Sequence, residues 1–143
     1  MNPMKPSLSS ISMLLLALLI FLSQTQVTYS LFNKYRVHII NGLTNETLTA
    51  HCKSKDDDLG VHALAVDQEF SWEFRINFFD RTLYFCNLVW KGGHKTFDAF
   101  LVDEKALLNA CSSSDCMWRA RDDGIYLFNY PHKQFRLKYQ REK

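Results

Sequence analysis

The sequence predicts an all-β fold: a two-sheet antiparallel β-sandwich of seven to eight short strands, with at most one short helical turn near residues 103–110. Three observations carry this prediction. Apolar and polar residues alternate with a period of two along several segments. Turn residues recur between those segments. Past the N-terminal stretch, nothing sustains a helical repeat beyond about two turns.

Residues 36–41 begin the domain as a strand rich in β-branched side chains, and Asn41-Gly42 ends it with a turn signal. Residues 47–52 alternate, with Leu48, Ala50 and Cys52 on one face; residues 53–60 are polar, end in glycine and read as a loop. The strongest pattern is residues 70–76, where Phe70, Trp72, Phe74 and Ile76 share one face and Ser71, Glu73 and Arg75 the other. Residues 82–90 make a second aromatic strand, and Asp80-Arg81 between the two suits a hairpin. Residues 91–94 form a turn and residues 96–101 a short strand. In 103–110, Asp103 is placed to cap a helix that carries Ala106, Leu107 and Ala110 at helical spacing. Two strands, 116–121 and 125–129, flank the hairpin turn Asp122-Asp123-Gly124, and residues 134–139 make the last strand after a break at Tyr130-Pro131-His132.

The chain begins with a lone cation, Lys5, followed by residues 11–22, apolar except for Ser12, and then by small residues. That order marks a secretory signal peptide, residues 1–30, with cleavage within 23–30. The apolar run falls short of the roughly 20 residues a spanning helix needs, and no later segment approaches that length, so no membrane span is expected. The polar C-terminus rules against a lipid-anchor tail. The remainder, 31–143, is one domain by length, expected to be secreted, extracellular and monomeric.

Four cysteines, Cys52, Cys86, Cys111 and Cys116, all lie in the exported part. An even count on an export route reads as two structural disulfides, with three pairings open. Only one close pair exists, at the edge of zinc-ligand spacing, so a metal is not expected. The formal net charge of +2 includes Lys5, which leaves the domain near neutral and argues against nucleic acid as partner. The basic C-terminal residues Lys133, Arg136, Lys138, Arg141 and Lys143 read as the solvated face of a last strand and its tail.

No nucleophile elbow, zinc-protease motif, phosphate-binding glycine loop or paired-cysteine redox motif is present, so neither catalysis nor a cofactor is expected. The five histidines, His38, His51, His62, His94 and His132, have no catalytic or metal spacing. A secreted hydrolase would need His51, His62 and His94 to converge on a cleft. Asp56-Asp57-Asp58 lacks the glycine and terminal glutamate of a calcium loop. Its better reading is an exposed recognition loop, since loops on a rigid scaffold commonly carry specificity. Asn45-Glu46-Thr47 is a glycosylation sequon that would keep its turn at the surface.

Taken in order, Val37 to Asn41, His51-Cys52 through Asp57-Asp58-Leu59-Gly60, Phe70-Ser71-Trp72, Cys86, Trp90, Phe97 to Phe100, Cys111 through Cys116-Met117-Trp118, and Asp123 to Tyr126 resemble the plant self-incompatibility S-protein homologue family. The resemblance covers nearly all of 31–143 and includes all four cysteines. It implies a small secreted plant β-sandwich, recognised by a cell-surface receptor protein in pollen–pistil recognition or another signalling process. It implies structural roles for the cysteines and core positions for Trp72, Trp90 and Trp118. Recognition is carried over as a location only, to the loops holding Asp56, Asp57 and Asp58 and Asp122 and Asp123. Two other readings are a hydrolase using the histidines above and a carrier of an apolar molecule between the sheets. The carrier would need an interior cavity of several hundred Å³, against which the many large aromatic residues argue.

Overall fold

The computed structural model describes residues 3–29, 34–76, 81–111 and 114–143. It divides into two units, Met1–Asn33 and Lys34–Lys143. The first holds one helix, α1 (Leu8–Tyr29). Ser7 opens it, its Oγ accepting a hydrogen bond from the Ser10 N–H at 3.3 Å. Met13, Leu14, Leu15 and Leu16, which point to successive sides of this helix, are all exposed. Among the described residues, no helix is long and apolar enough to cross a membrane.

The second unit contains β1 (Lys34–Asn41), β2 (Leu48–Lys53), β3 (Asp58–Leu64), β4 (Glu69–Arg75), β5 (Leu83–Trp90), β6 (Gly93–Leu101), α2 (Lys105–Ala110), β7 (Asp115–Arg121), β8 (Gly124–Asn129) and β9 (Gln134–Gln140). They form a five-stranded sheet in the order β4-β1-β7-β8-β9 and a four-stranded sheet in the order β3-β2-β5-β6. The all-β sandwich expected from the alternation is what forms. Val37 and Ile39 of β1, Leu48 and Ala50 of β2, Trp72 of β4 and Trp118 of β7 turn inward, while their neighbours in sequence turn out. Trp72, Trp90 and Trp118 are all buried, and the Trp118 indole N–H donates to the Ala99 carbonyl of the opposite sheet at 2.9 Å.

The rings fill the space between the sheets. Phe74 meets Tyr84 and Phe100 at 4.7 Å, and Phe97 meets Trp118 at the same distance. Each such pair adds about 1 kcal/mol beyond burial. These rings occupy the volume that the apolar-carrier reading requires.

Four expectations are corrected. First, the described residues form nine strands, because residues 58–64, expected as loop and unassigned chain, form β3. Its alternation is hidden because β3 is an edge strand with Gly60 at φ +80 and a register shift between His51 and Lys53 of its partner β2. Second, the sheets are not wholly antiparallel: β1 and β7 run parallel, Val37 opposite Cys116 and Ile39 opposite Trp118. The chain leaves β1 for β2 and β3 of the second sheet, returns as β4, crosses again to β5 and β6, and comes back through α2 to the end where β1 started, so β7 enters in the same direction. Third, no hairpin joins β4 and β5, which belong to different sheets; Asp80 of that expected turn lies outside the described residues. Fourth, Glu104, not Asp103, stands at the N-cap of α2, and Asp103 instead pairs with Arg81 Nε at 2.8 Å.

The cysteines pair as Cys52–Cys86, joining β2 to β5, and Cys111–Cys116, closing the connection from α2 to β7. The two bridges span 34 and 5 residues of sequence. By loop-closure entropy that corresponds to about 4 and about 2 kcal/mol.

Among the described residues, one polar side chain is buried in the core, Asn41. Its Nδ2 donates to the Glu46 carbonyl at 2.8 Å and the Leu64 carbonyl at 2.9 Å, and its Oδ1 accepts from the Leu43 N–H at 2.9 Å. Asn41→Ala strands all three backbone groups. It is expected to lower stability by about 3 kcal/mol or more, read as a fall in the urea midpoint with an unchanged slope.

Candidate functional site

The topology assigns every loop to one of two ends. β1, β4 and β7 fix the polarity of one sheet and β2, β3 and β5 that of the other. At one end lie the β2–β3 turn, the β4–β5 and β6–β7 connections and the β8–β9 turn. At the other lie the β1–β2 and β3–β4 loops, the β5–β6 and β7–β8 turns and the C-terminus. The two acidic loops expected to carry recognition are therefore at opposite ends, and they cannot contribute to one contact.

The β2–β3 turn holds Asp56 and Asp57, both exposed. Ser54 shapes it: its Oγ accepts from the N–H groups of Asp56 at 3.3 Å and Asp57 at 3.0 Å, and its own N–H donates to the Asp57 carbonyl at 2.7 Å. Cys52, two residues before Ser54, is bridged to β5, so the turn is anchored at its root. Beside it opens a groove of about 640 Å³ lined by Asp56, Asp57, Arg75, Arg81, Tyr84 and Asp98, among others. Burial, and secondarily the Asp57 charge, raise the Tyr84 hydroxyl above the usual phenol range. Sequence reading missed Arg75, Arg81 and Tyr84 because they come from the end of β4, the connection after it and the start of β5, well beyond the turn in sequence.

Asp58 behaves differently. It is the first residue of β3, and its Oδ1 accepts from the Gly60 N–H at 2.9 Å and lies 2.7 Å from His51 Nε2. Lys53 Nζ approaches its other oxygen at 3.9 Å. The Gly60 bond first, and then His51, hold its carboxyl below the usual value of 3.8. Its carboxylate is spent inside the hairpin.

At the other end, Asp122 accepts from the Thr44 hydroxyl and from the Thr44 N–H at 3.3 Å, and Asp123 Oδ2 accepts from the Tyr126 hydroxyl at 2.7 Å. Both clasp neighbouring elements. Arg141 Nη1 donates to the carbonyls of Gly92 and Asp122, each at 3.2 Å, and Glu46 Oε2 accepts from the Gly92 N–H at 3.3 Å. Asn45 and Thr47 of the sequon are exposed in the same cluster.

The histidines do not assemble. His51 pairs with Val61 on the outer face of the four-stranded sheet, whereas His62 pairs with the inward Ala50 and stacks on Phe70 with ring centroids 3.7 Å apart. His94 faces Glu142 at 3.6 Å, with β5 between its strand and that of His51. The cleft that the hydrolase reading needs is not formed by these residues.

Comparison with known proteins decides the lineage. The family model for plant self-incompatibility protein S1 matches residues 36–140, from β1 into β9. The chain belongs to this family. Among its relatives in Arabidopsis thaliana, S-protein homolog 1 is 40% identical over 98 residues, 68% of this chain and 64% of that protein. S-protein homolog 2 is 42% identical over 109 residues, 75% of this chain and 68% of that protein. S-protein homolog 29 is 34% identical over 128 residues, 89% of this chain and 92% of that protein. The chain thus matches about two-thirds of the length of the first two. A solved structure of a self-incompatibility protein homologue, from a family described as small, highly stable, secreted plant proteins, superposes with a TM-score of 0.51 at 16% identity, covering 80% of this chain and 95% of that one. That likeness supports the sandwich.

In this family member, Asp58 gives a pH test. Its folded-state pKa is depressed, so its contribution to stability is present above the ordinary carboxylate value of 3.8 and is lost as pH falls through the lower folded value. Asp58→Asn should be less stable than the parent above that value. The difference should close as the pH is taken below it, measured by urea unfolding at successive pH values.

Proposed function

We propose that this protein is a secreted, non-catalytic ligand recognised by a cell-surface receptor protein, acting in pollen–pistil recognition or another cell–cell signalling process. Its α1 segment is the export signal, residues 1–30, removed within 23–30. A lone cation, Lys5, ahead of an apolar helix suits an export segment that is discarded. Kinship with proteins described as secreted supports the same route.

The observation that carries the ligand reading is the Ser54–Asp57 turn. Two exposed carboxylates, Asp56 and Asp57, project from a turn fixed by three hydrogen bonds and anchored by a disulfide, beside an open groove with Arg75 and Arg81. A rigid, charged turn loses little entropy on binding, which favours specific recognition. Asp58, Asp122 and Asp123 act as positioning groups for the hairpins.

Two measurements test this. Fluorescently labelled protein recovered from the medium of expressing plant cells should bind saturably to protoplasts from at least one tissue in a panel of pistil, pollen tube, root and seedling. Asp56→Lys with Asp57→Lys should weaken that binding by about tenfold or more. Saturable binding that ignores both changes removes the turn from recognition, and no binding on any tissue removes the ligand reading.

Asn45 lies at the opposite end, so a glycan there leaves the turn uncovered. Secreted protein should shift to lower mass on peptide-N-glycosidase treatment, and Asn45→Gln should abolish the shift while receptor binding is retained.

A further inference from the structure

The outer face of the five-stranded sheet differs in kind from the outer face of its partner. On the four-stranded sheet, the outward row Val61–His51–Asn87–Thr96 has one aliphatic residue and three polar ones, with the Thr96 hydroxyl donating to Asn87 at 3.1 Å. On the five-stranded sheet, β7, β8 and β9 turn Met117, Arg119, Arg121, Tyr126, Phe128 and Phe135 outward, all half-buried. The core rings already line the inner face, so these six are surplus to the core.

Their arrangement is ordered. The Arg121 guanidinium lies 4.3 Å from the Tyr126 ring and 5.8 Å from that of Phe135, and it forms no ion pair among the described residues. Arg119 lies 5.9 Å from the Phe135 ring and is held by Asp67 at 3.0 Å. Stacking on rings restrains a guanidinium while leaving its N–H edges free for a carboxylate. Leu137, beside Tyr126 in the register, is 45% exposed.

We infer that this Met, aromatic and arginine face of β7–β9 is a second recognition surface, fitted to a protein partner that presents carboxylates around an apolar centre. The inference rests on the receptor reading above and deepens it, by adding a sheet face to the Asp56–Asp57 turn. Three considerations select a protein over other partners. Aromatic residues, methionine and arginine are the types enriched at the centres of protein interfaces, where lysine is depleted. A polyanion needs a concentrated basic surface, and this domain is nearly neutral once Lys5 is set aside from the formal +2. Sugars and bases need open ring faces, whereas Phe128 meets Phe135 and Tyr130 edge-on at 69° and 87°, and Arg121 covers Tyr126. A single arginine without a carboxylate partner gives the face charge complementarity to an acidic surface.

The experiment uses the same protein and the protoplasts that bind it. Arg121→Gln and Phe135→Ser are made separately, each checked for folding by near-ultraviolet circular dichroism and urea unfolding. Each is expected to weaken binding by about tenfold, Arg121→Gln with a reduced dependence on salt, and trypsin treatment of the protoplasts should abolish binding of the parent. Arg121→Gln removes no core atom, so it reports even where Phe135→Ser fails to fold. A folded Arg121→Gln that binds like the parent overturns the inference. So does binding that survives trypsin or is competed by soluble polygalacturonate. Loss with the Asp56 and Asp57 changes but not with Arg121→Gln defeats this surface and leaves the receptor reading standing. Absence of parental binding on every tissue defeats both.

Discussion

The buried side chain of Asn41 is the joint on which the two sheets turn. It ends β1, the strand that pairs in parallel with β7, and every polar group it owns is used. Its backbone N–H donates to the Gln68 carbonyl and its carbonyl accepts from the Asp67 N–H, both in the β3–β4 loop. Its amide reaches the β1–β2 loop at Leu43 and Glu46 and the last residue of β3 at Leu64. Both chain crossings between the sheets at this end are thus fixed by one residue. An aspartate could not substitute, because two of the three partners are carbonyls that need a donor. In a low-dielectric setting such a satisfied network is stiff, and a half-satisfied one is costly.

That joint makes the two ends unlike. Around Asn41 the loops hold one another: Thr44 to Asp122, Arg119 to Asp67, Glu46 to Gly92, and Arg141 to both Gly92 and Asp122. Each exposed contact is worth under about 1 kcal/mol alone, but they share loops and act together. The opposite end has ties of its own, Arg81 to Asp103, the Val102 N–H to the Thr82 carbonyl and the Tyr130 N–H to the Ala110 carbonyl. It is secured one step back, by Cys52–Cys86 behind the β2–β3 turn and Cys111–Cys116 behind the entry to β7. Covalent anchoring inside the sandwich holds the root of that turn, whose Asp56 and Asp57 are exposed, Asp57 beside the Tyr84 hydroxyl.

Much of the fold was legible because burial follows alternation: β4 and β7 read correctly from Trp72 and Trp118 outward. Asn41-Gly42 was legible as a turn, but the role of the Asn41 side chain was not, since its partners Glu46 and Leu64 are defined only by the closed fold. β3 was missed because an edge strand with a positive-φ glycine has no need to alternate. The parallel pairing was invisible for a different reason: β1 and β7 are separated by an entire sheet of sequence. Of the five carboxylates chosen as recognition candidates, Asp58 and Asp123 hold groups of their own hairpins and Asp122 holds Thr44 of the β1–β2 loop. Charge in a loop announces exposure, but it does not say whether a backbone N–H or a hydroxyl has already claimed the oxygen.

The same limit explains why the arginine and aromatic face escaped a reading of the sequence. In a regular strand, residues two apart share a face, so Leu137 and Tyr139 read as one apolar side of β9. The register passes from Ile125 opposite Tyr139 to Tyr126 opposite Leu137, leaving Lys138 unpaired in a bulge. Tyr139 accordingly turns in to stack on Trp118, while Leu137 and Phe135 turn out beside Tyr126 and Phe128. A single inserted residue thus moves part of an apparent core strand onto the surface. Bulges of this kind re-aim side chains, and they let a small domain carry an apolar recognition surface within a strand pattern that otherwise reads as interior.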